Sequence, residues 1–260
     1  MDCGYILERL ENLSPREYAE KWDNVGLLVG RADKEISTVF IAVDATDEVI
    51  DAAIEANADM LITHHPMIFS PLKSVVSDDF IGRRVLKLAK HDISYYAMHT
   101  NFDVMGMADA AAEEIELSDV DVLDITYEDE IGCEGIGRIG RLYDDMTLYD
   151  LCDFVKERFD LETVRVYGDL DRVVSVCAIS PGSGKSVLSS AIDKGADVII
   201  TGDIDHHNGI DAMAQGLSII DAGHFGLEKI FVPYMEGFFR REMPEIRVYM
   251  QELKSPFRVI

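Results

Sequence analysis

Six of the seven histidines in this 260-residue chain stand at, or shortly after, the end of a segment that reads as a β-strand. They are His64, His65, His99, His206, His207 and His224. In a parallel α/β sheet, the carboxyl ends of the strands line the crevice where ligands bind. Because neither solubility nor core packing requires so many imidazoles on one rim, we interpret them as candidates for metal binding or proton transfer.

His99 is followed four residues later by the carboxylate of Asp103, and His224 by that of Glu228. Residues spaced by four share a helical face, with Cβ atoms about 5–6 Å apart. We therefore expect the two pairs to occupy equivalent places in the fold. Imidazole combined with carboxylate suits zinc, iron or manganese better than calcium or magnesium alone.

The number of candidate ligands favours two ions over one. A single ion takes three or four protein ligands, whereas two ions about 3.5–4 Å apart can use the larger set. His64 and His65 would point in opposite directions on a straight strand. Where the strand ends and the backbone turns, each can take a different ion. We interpret His206 and His207 either as hydrogen-bond partners of ligands or as residues at a helix start.

The elements that must position these residues alternate between strands and helices. The segments Ser37–Val43, Met60–Thr63 and Ile93–Met98 are short and apolar, as buried strands are. Asp47–Asn57 between the first two has helical spacing of its apolar residues. This alternation predicts a mostly parallel sheet covered by helices, and therefore an α/β fold.

The same pattern occurs a second time. The segment AIEANADMLIT at Ala53–Thr63 recurs as AIDKGADVIIT at Ala191–Thr201, with strand-like segments before and after it in both places. We interpret this as an internal duplication that makes two related α/β lobes, with the metal site in the cleft between them. An acidic stretch followed by a glycine-rich stretch marks the boundary. The predicted lobes are 1–125, carrying His64, His65 and Asp103, and 126–260, carrying His224 and Glu228.

The composition narrows the class of protein. The chain has 49 acidic and 24 basic residues, a formal net charge of −25, which disfavours nucleic-acid binding because such a surface repels phosphate backbones. No apolar run reaches the roughly 20 residues that span a bilayer, and the N-terminal segment is charged and helical in pattern. We therefore expect a cytoplasmic protein without a membrane partner, whose four cysteines are free thiols.

Two further segments leave alternatives open. The loop SPGSGKS at Ser180–Ser186 ends like a phosphate-binding loop, but Ile179 stands where that motif requires a glycine. Its glycines would instead let the backbone approach a ligand or the opposite lobe closely. Trp22, the only tryptophan, is either an anchor in the core or a wall of an active site.

The motifs as a set resemble the GTP cyclohydrolase I type 2-like proteins, also called the Nif-three-like family. The motifs that carry the resemblance, from about residue 5 to 255, are WDNVGLLVG, ITHHPMIF, HTNFD, GIGRIGRL, GSGKS, TGDIDHH and DAGHFGLE. The resemblance implies two α/β lobes, a dinuclear metal centre and a ring-shaped homohexamer. It also implies that His64, Asp103 and Glu228 hold one ion and that His65, His224 and Glu228 hold the other, with Glu228 as the bridge. His99 matches a family histidine near the metals.

The family name implies opening of the guanine imidazole ring of GTP with loss of formate. We therefore expect a hydrolase that acts on a nucleotide or related small molecule through a metal-activated water. His99 or His207 would act as proton shuttle. We expect iron or zinc, with manganese as a third choice. Two alternatives remain: a metal-binding or metal-delivery protein without turnover, and an adaptor ring whose metals only brace the lobes.

Overall fold

The structure is a computed structural model that describes residues 1–130 and 132–258. These residues divide into two compact units, each built around one β-sheet. The first unit is Met1–Phe102 together with Phe231–Lys254, and the second is Asp103–Ile230 together with the residues from Ser255. The predicted α/β fold is confirmed, since helices and two sheets make up the described chain.

The helices vary in length from one turn to three. In residues 1–130 and 132–258 the α-helices are Cys3–Leu13 (α1), Asp47–Glu55 (α2), Phe80–Lys90 (α3), Thr100–Phe102 (α4), Ala108–Glu114 (α5), Leu148–Arg158 (α6), Leu188–Asp193 (α7), His206–Ala214 (α8), His224–Glu228 (α9) and Phe231–Glu242 (α10). Short 3₁₀ turns are formed by Arg16–Tyr18 and Gly184–Val187, and a π-turn by Asp103–Met107.

The strands are short in the first unit, whereas the second unit includes the three long strands β5, β6 and β8. Over the same described residues they are Gly26–Val29 (β1), Thr38–Ala42 (β2), Met60–Thr63 (β3), Ser94–Ala97 (β4), Ser118–Glu128 (β5), Cys133–Thr147 (β6), Arg165–Tyr167 (β7), Val173–Ser183 (β8), Val198–Gly202 (β9), Ser218–Asp221 (β10) and Arg247–Met250 (β11).

The sheet of the first unit has the order β1-β4-β3-β2-β11. Strands β4, β3, β2 and β11 are parallel, and β1 is antiparallel to β4. Every residue of β2, β3 and β4 is buried, which is why these strands read as continuous apolar runs. The last residues of β3 and β4, Thr63 and Ala97, pair with each other, so the segments that follow them leave the same edge of the sheet.

The sheet of the second unit has the order β5-β6-β8-β9-β10-β7. Strands β8, β9 and β10 are parallel, whereas β7 and β6 run antiparallel to β10 and β8, respectively. Strands β9 and β10 also end level, since Thr201 pairs with Asp221. The segments carrying Asp203 and His224 therefore both follow the carboxyl ends of neighbouring strands.

A local connection is the same in the two units. The carboxylate of Asp59, just before β3, accepts hydrogen bonds from two backbone N–H groups at the start of β2. The carboxylate of Asp197, just before β9, does the same near the start of β8. Two residues earlier, Asn57 and Gly195 both have a positive φ, +51° and +75°. These parallels agree with the repeat in the sequence.

The acidic and glycine-rich stretch interpreted as a boundary forms β5 and β6, an antiparallel pair inside the second sheet. Most acidic residues of β5 are exposed, as is usual for an edge strand that must resist pairing with other chains. A Cβ at Gly135 would lie 1.9 Å from the carbonyl oxygen of Asp124, so glycine lets the two backbones meet. The predicted lobes, 1–125 and 126–260, are continuous segments, whereas α10 and β11 return to the first unit.

The described residues contain no helix long and apolar enough to cross a bilayer. The four cysteines are free thiols, as predicted. Cys3, Cys152 and Cys177 are buried, and burial raises the pKa of each thiol, in Cys152 to about 11. They therefore behave as apolar packing residues.

Candidate metal centre

The first unit brings three of the candidate histidines together. His64 and His65 follow β3, and His99 follows β4, at the edge where these two strands end level. One ring nitrogen of each lies within 4.8 Å of one ring nitrogen of the other two. The ring centroids are 4.9–5.5 Å apart. This arrangement could hold a metal ion.

A turn at the end of β3 allows adjacent histidines to face the same place. The carbonyl oxygen of His65 accepts hydrogen bonds from the hydroxyls of Thr63 (2.7 Å) and Tyr95 (3.0 Å). Burial raises the pKa of Tyr95 to about 12, so its hydroxyl stays a donor. These bonds hold the backbone out of the strand conformation that would separate the two imidazoles.

His99 is held by a buried carboxylate that the sequence did not identify as part of the site. Its Nδ1 lies 2.9 Å from Oδ1 of Asp23, whose other oxygen accepts from the backbone N–H and the hydroxyl of Thr100. The Asp23 side chain is fully buried. Burial opposes its ionisation, but the hydrogen bonds from His99 and Thr100 outweigh this and lower its pKa to about 2.

Trp22 is not a core anchor, because 56% of its surface is exposed. Its ring meets that of His99 edge to face, with centroids 5.9 Å apart, and lies 5.6 Å from that of Phe69. Phe69 also lies against His99, at 6.5 Å. Of the two readings left open by the sequence, the structure supports the one that places Trp22 beside the site.

The second unit collects two carboxylates and one imidazole. Nε2 of His224 and Oε2 of Glu228, one turn apart on α9, are 3.0 Å apart. A carboxylate oxygen of Asp103, at the start of the π-turn, lies within 4.8 Å of one of Glu228. Two ligands of one tetrahedral ion, each about 2.1 Å from it, are about 3.4 Å apart. The spacing and the donor types therefore suit a transition metal.

The HTNFD and HFGLE motifs are not equivalent in the way the spacing predicted. Helix α9 begins at His224 and contains Glu228, whereas α4 begins at Thr100, one residue after His99. His99 thus lies in the segment before the helix, where its backbone N–H donates to the Asn101 side chain. The physical reason is that Asp23 caps the first turn of α4 and fixes His99 outside it.

The glycine-rich loop at the end of β8 approaches Glu228 within the second unit. Gly182 has a φ of +79°, and a Cβ there would lie 2.5 Å from Oε1 of Glu228. The glycine therefore has two roles: it adopts a left-handed conformation, and it leaves room for the carboxylate. The backbone of this loop thus comes close to Glu228, and the predicted approach to a ligand or to the opposite lobe stays a prediction.

All four histidines named above have Nδ1 bound to an oxygen atom of their own unit. The acceptors are the carbonyl of Met98 for His64, Asp44 for His65, Asp23 for His99 and Asp203 for His224, at 2.8–2.9 Å. Carbonyl and carboxylate oxygens accept, so Nδ1 is the donor in each of these bonds. Metal-binding histidines are oriented in this way by surrounding acceptors.

Sequence reasoning missed Asp44 and Asp203 as members of the site. Both follow a strand end, Asp44 after β2 and Asp203 after β9, and this position was the available signal. Asp203 also has a φ of +56°, a conformation that Asp tolerates better than most residues.

His206 and His207 form the first turn of α8, which Asp205 caps by accepting from the backbone N–H of Asn208. Both histidines are exposed, with ring centroids 5.3 Å apart. Among residues 1–130 and 132–258, they are absent from the groups of three or more side chains that could hold a metal ion. Their placement agrees with the interpretation as helix-start residues, and a proton-transfer role for His207 stays a prediction.

Comparisons with known proteins agree with the resemblance seen in the motifs. The profile of the Duf34/NIF3 (NGG1p interacting factor 3) family matches residues 1–256. A GTP cyclohydrolase 1 type 2 homolog from Clostridium perfringens is 34% identical over an alignment that covers 100% of both chains. Another from Streptococcus pneumoniae is 37% identical and aligns over 89% of this chain and 88% of its own.

Solved structures show the same fold. The crystal structure of a Bacillus cereus protein related to NIF3 matches with a TM-score of 0.91 and 26% identity, over 100% of this chain and 99% of its own. The family profile, the Clostridium perfringens relative and the fold thus agree over nearly the whole chain, and the chain belongs to the Duf34/NIF3 family.

Proposed function

We propose that this protein is a metal-dependent hydrolase that acts on a nucleotide or a related small molecule. Two divalent ions would be held by His64, His65, Asp103, His224 and Glu228. The observation that carries this proposal is that an oxygen acceptor binds Nδ1 of every histidine in the two clusters and so fixes the orientation of each ring, as in metal-binding histidines. The relatives named GTP cyclohydrolase 1 type 2 homolog support a nucleotide as the substrate class.

In this proposal the ligands divide as the family resemblance implies. His64, Asp103 and Glu228 hold one ion, and His65, His224 and Glu228 hold the other. Glu228 suits the bridging position because it is buried and has both Asp103 and His224 beside its carboxylate. Imidazole with carboxylate favours iron or zinc, and manganese next.

The two metal ions would supply Lewis acidity, which polarises an electrophilic carbon and activates water for attack. The side chains of the protein would transfer protons and orient the ligands. His99 lies against His64 and His65 and can hold or pass a proton at Nε2, while Asp23 fixes its Nδ1. His207 remains a second candidate for proton transfer. Asp23, Asp44 and Asp203, which accept hydrogen bonds from the imidazoles, would keep the ring orientation constant during turnover.

The experiment is metal analysis of natively purified protein, followed by turnover assays with GTP and a broad panel of nucleotides. We expect about two ions per chain and metal-dependent turnover. Glu228→Gln keeps the shape of the side chain but removes its charge, so bound metal and turnover should both fall by at least about 100-fold. Glu236→Gln is the matched control, because Glu236 lies on α10 and pairs with Arg240.

Two outcomes would contradict parts of this proposal. Two tightly held ions with no turnover of any substrate in the panel would favour the metal-delivery alternative. Retention of both ions in Glu228→Gln would remove the bridging role. The ring-shaped homohexamer, also a proposal, predicts a solution mass of six 29.1-kDa chains by light scattering.

A further inference from the structure

Two large aromatic side chains of the first unit are exposed next to its histidine cluster. Trp22 and Phe69 are 56% and 52% exposed, and their ring centroids are 5.6 Å apart. Both rings also contact the imidazole of His99. Exposed large apolar side chains placed singly are common, but a contacting pair beside polar, site-forming groups is typical of a ligand-binding wall.

Hydrogen bonds fix the segments that carry these two rings. Nδ2 of Asn24 donates to the carbonyl oxygen of Ile68 at 2.5 Å, which joins the neighbours of Trp22 and Phe69. Asp23 bonds to both His99 and Thr100. The segments that carry the rings are therefore fixed while the rings stay exposed, so a ligand that covers them gains contact area without the cost of ordering the backbone.

We propose that Trp22 and Phe69 bind the planar heteroaromatic base of the substrate by stacking, and so select nucleotides over sugar phosphates. This inference rests on the proposed function and names the part of the substrate that is recognised. Base–aromatic stacking changes affinity by roughly 10-fold for each ring. Because both rings touch His99, a base stacked on them lies beside the imidazole cluster rather than on a distant surface.

The chain has a single tryptophan, so its fluorescence reports directly on Trp22. The first experiment titrates natively purified, full-length protein with guanosine 5′-monophosphate, exciting at a wavelength where tyrosine does not absorb. Ribose 5-phosphate, which has the sugar and phosphate without the base, is the matched probe. We expect saturable quenching by the nucleotide and none by ribose 5-phosphate.

The second experiment measures the affinity for the same nucleotide by calorimetry in single variants. Trp22→Leu and Phe69→Leu should each raise Kd roughly 10-fold. Phe80→Leu is the control, because Phe80 is 54% exposed but lies under the Arg84 guanidinium instead of beside His99. Its Kd should stay within about twofold of the parent protein.

Several results would overturn the inference. These are equal quenching by both probes, no binding of the nucleotide, or the same Kd in the Phe69→Leu and Phe80→Leu variants. An emission maximum typical of a buried indole in the intact assembly would also overturn it, because a second copy would then cover Trp22. Turnover without quenching refutes this inference alone, whereas quenching without turnover refutes only the proposed hydrolase activity.

Discussion

In both units an antiparallel edge strand is followed by three parallel strands, and the candidate ligands other than Asp103 come after the carboxyl ends of those strands. Asp103 is the exception, because it lies in the π-turn that follows α4. The first unit uses β1 with β4, β3 and β2, and the second uses β7 with β10, β9 and β8. The ligand types differ. The first unit presents three imidazoles, whereas the second presents one imidazole and two carboxylates. The common scaffold determines where ligands are placed, and the short segments after each strand determine which donors are used.

Apart from changes to the ligands themselves, the largest expected loss of bound metal is at Gly182, a glycine of the second unit that lies against the Glu228 carboxylate. Gly182→Ala should lower bound metal per chain by about half or more, because its Cβ would displace the Glu228 carboxylate. Gly195→Ala is the matched control, since Gly195 has a similar φ of +75° but no atom within 4 Å of an added Cβ. Both changes should cost about 1–2 kcal/mol of folding stability for the left-handed conformation. Equal metal content in the two variants, measured by mass spectrometry of metals, would contradict this role of Gly182.

The next effect compares the carboxylates that hold imidazoles in the two units. Asp44→Asn and Asp203→Asn should each weaken metal affinity by roughly 10–100-fold, because the histidine behind each loses a charged acceptor. Competition with a chelator measures this loss. Similar losses would show that the two units orient their ligands in the same way, and a loss in only one variant would break the comparison.

A smaller effect concerns acid stability of the connection before β9. Burial opposes ionisation of Asp197, but hydrogen bonds from the backbone of Val176 and Ser175, together with Arg172, lower its pKa below the ordinary value. The folded protein therefore binds this proton less readily than the unfolded chain. The stabilisation is complete above about pH 4 and is lost as the pH falls below that value. In the Asp197→Asn variant, the free energy of unfolding should fall less steeply as the pH decreases below about 4. A pH dependence as steep as that of the parent protein would refute this contribution of Asp197.

The smallest effect is an exchange of turn residues between the units. Gly195→Asn puts into the second unit the residue that the first unit has at Asn57, in the same left-handed conformation. Asn tolerates this conformation well and reduces the freedom of the unfolded chain. The free energy of unfolding should change by less than about 0.5 kcal/mol in a denaturant titration. A loss above about 2 kcal/mol would mean that the two turns are not interchangeable.

The parallel strands were the most predictable part of the fold. The bounds predicted for Met60–Thr63 are those of β3, and those predicted for β2 and β4 differ by one residue at each end. Burial on both faces gives such strands an uninterrupted apolar sequence. Strands β5 and β6 lack that signal, because charges at the sheet edge and glycines at close backbone contacts obscure the alternation. The return of α10 to the first unit depends on tertiary packing, which local pattern does not record.

The candidate site was predictable in its imidazoles and less so in what supports them. Histidine is rare enough that six at strand ends stand out. Asp23, Asp44 and Asp203 do not stand out among 49 acidic residues, although each accepts from an imidazole in the folded protein. The offset of one residue between His99 and His224 could not be seen either, since it depends on where each helix begins.

The first unit consists of two segments that are separated in the sequence by most of the second unit, and this affects the order in which the chain can fold during synthesis. Strand β2 pairs with β3 on one side and with β11 on the other. The ribosome completes every strand of the second sheet before it reaches Arg247–Met250. Until then, the backbone groups along the outer side of Thr38–Ala42 have no neighbouring strand from this chain. A nascent chain stalled before residue 247 would therefore carry an open, apolar strand edge of the kind that chaperones shield and that other chains can join.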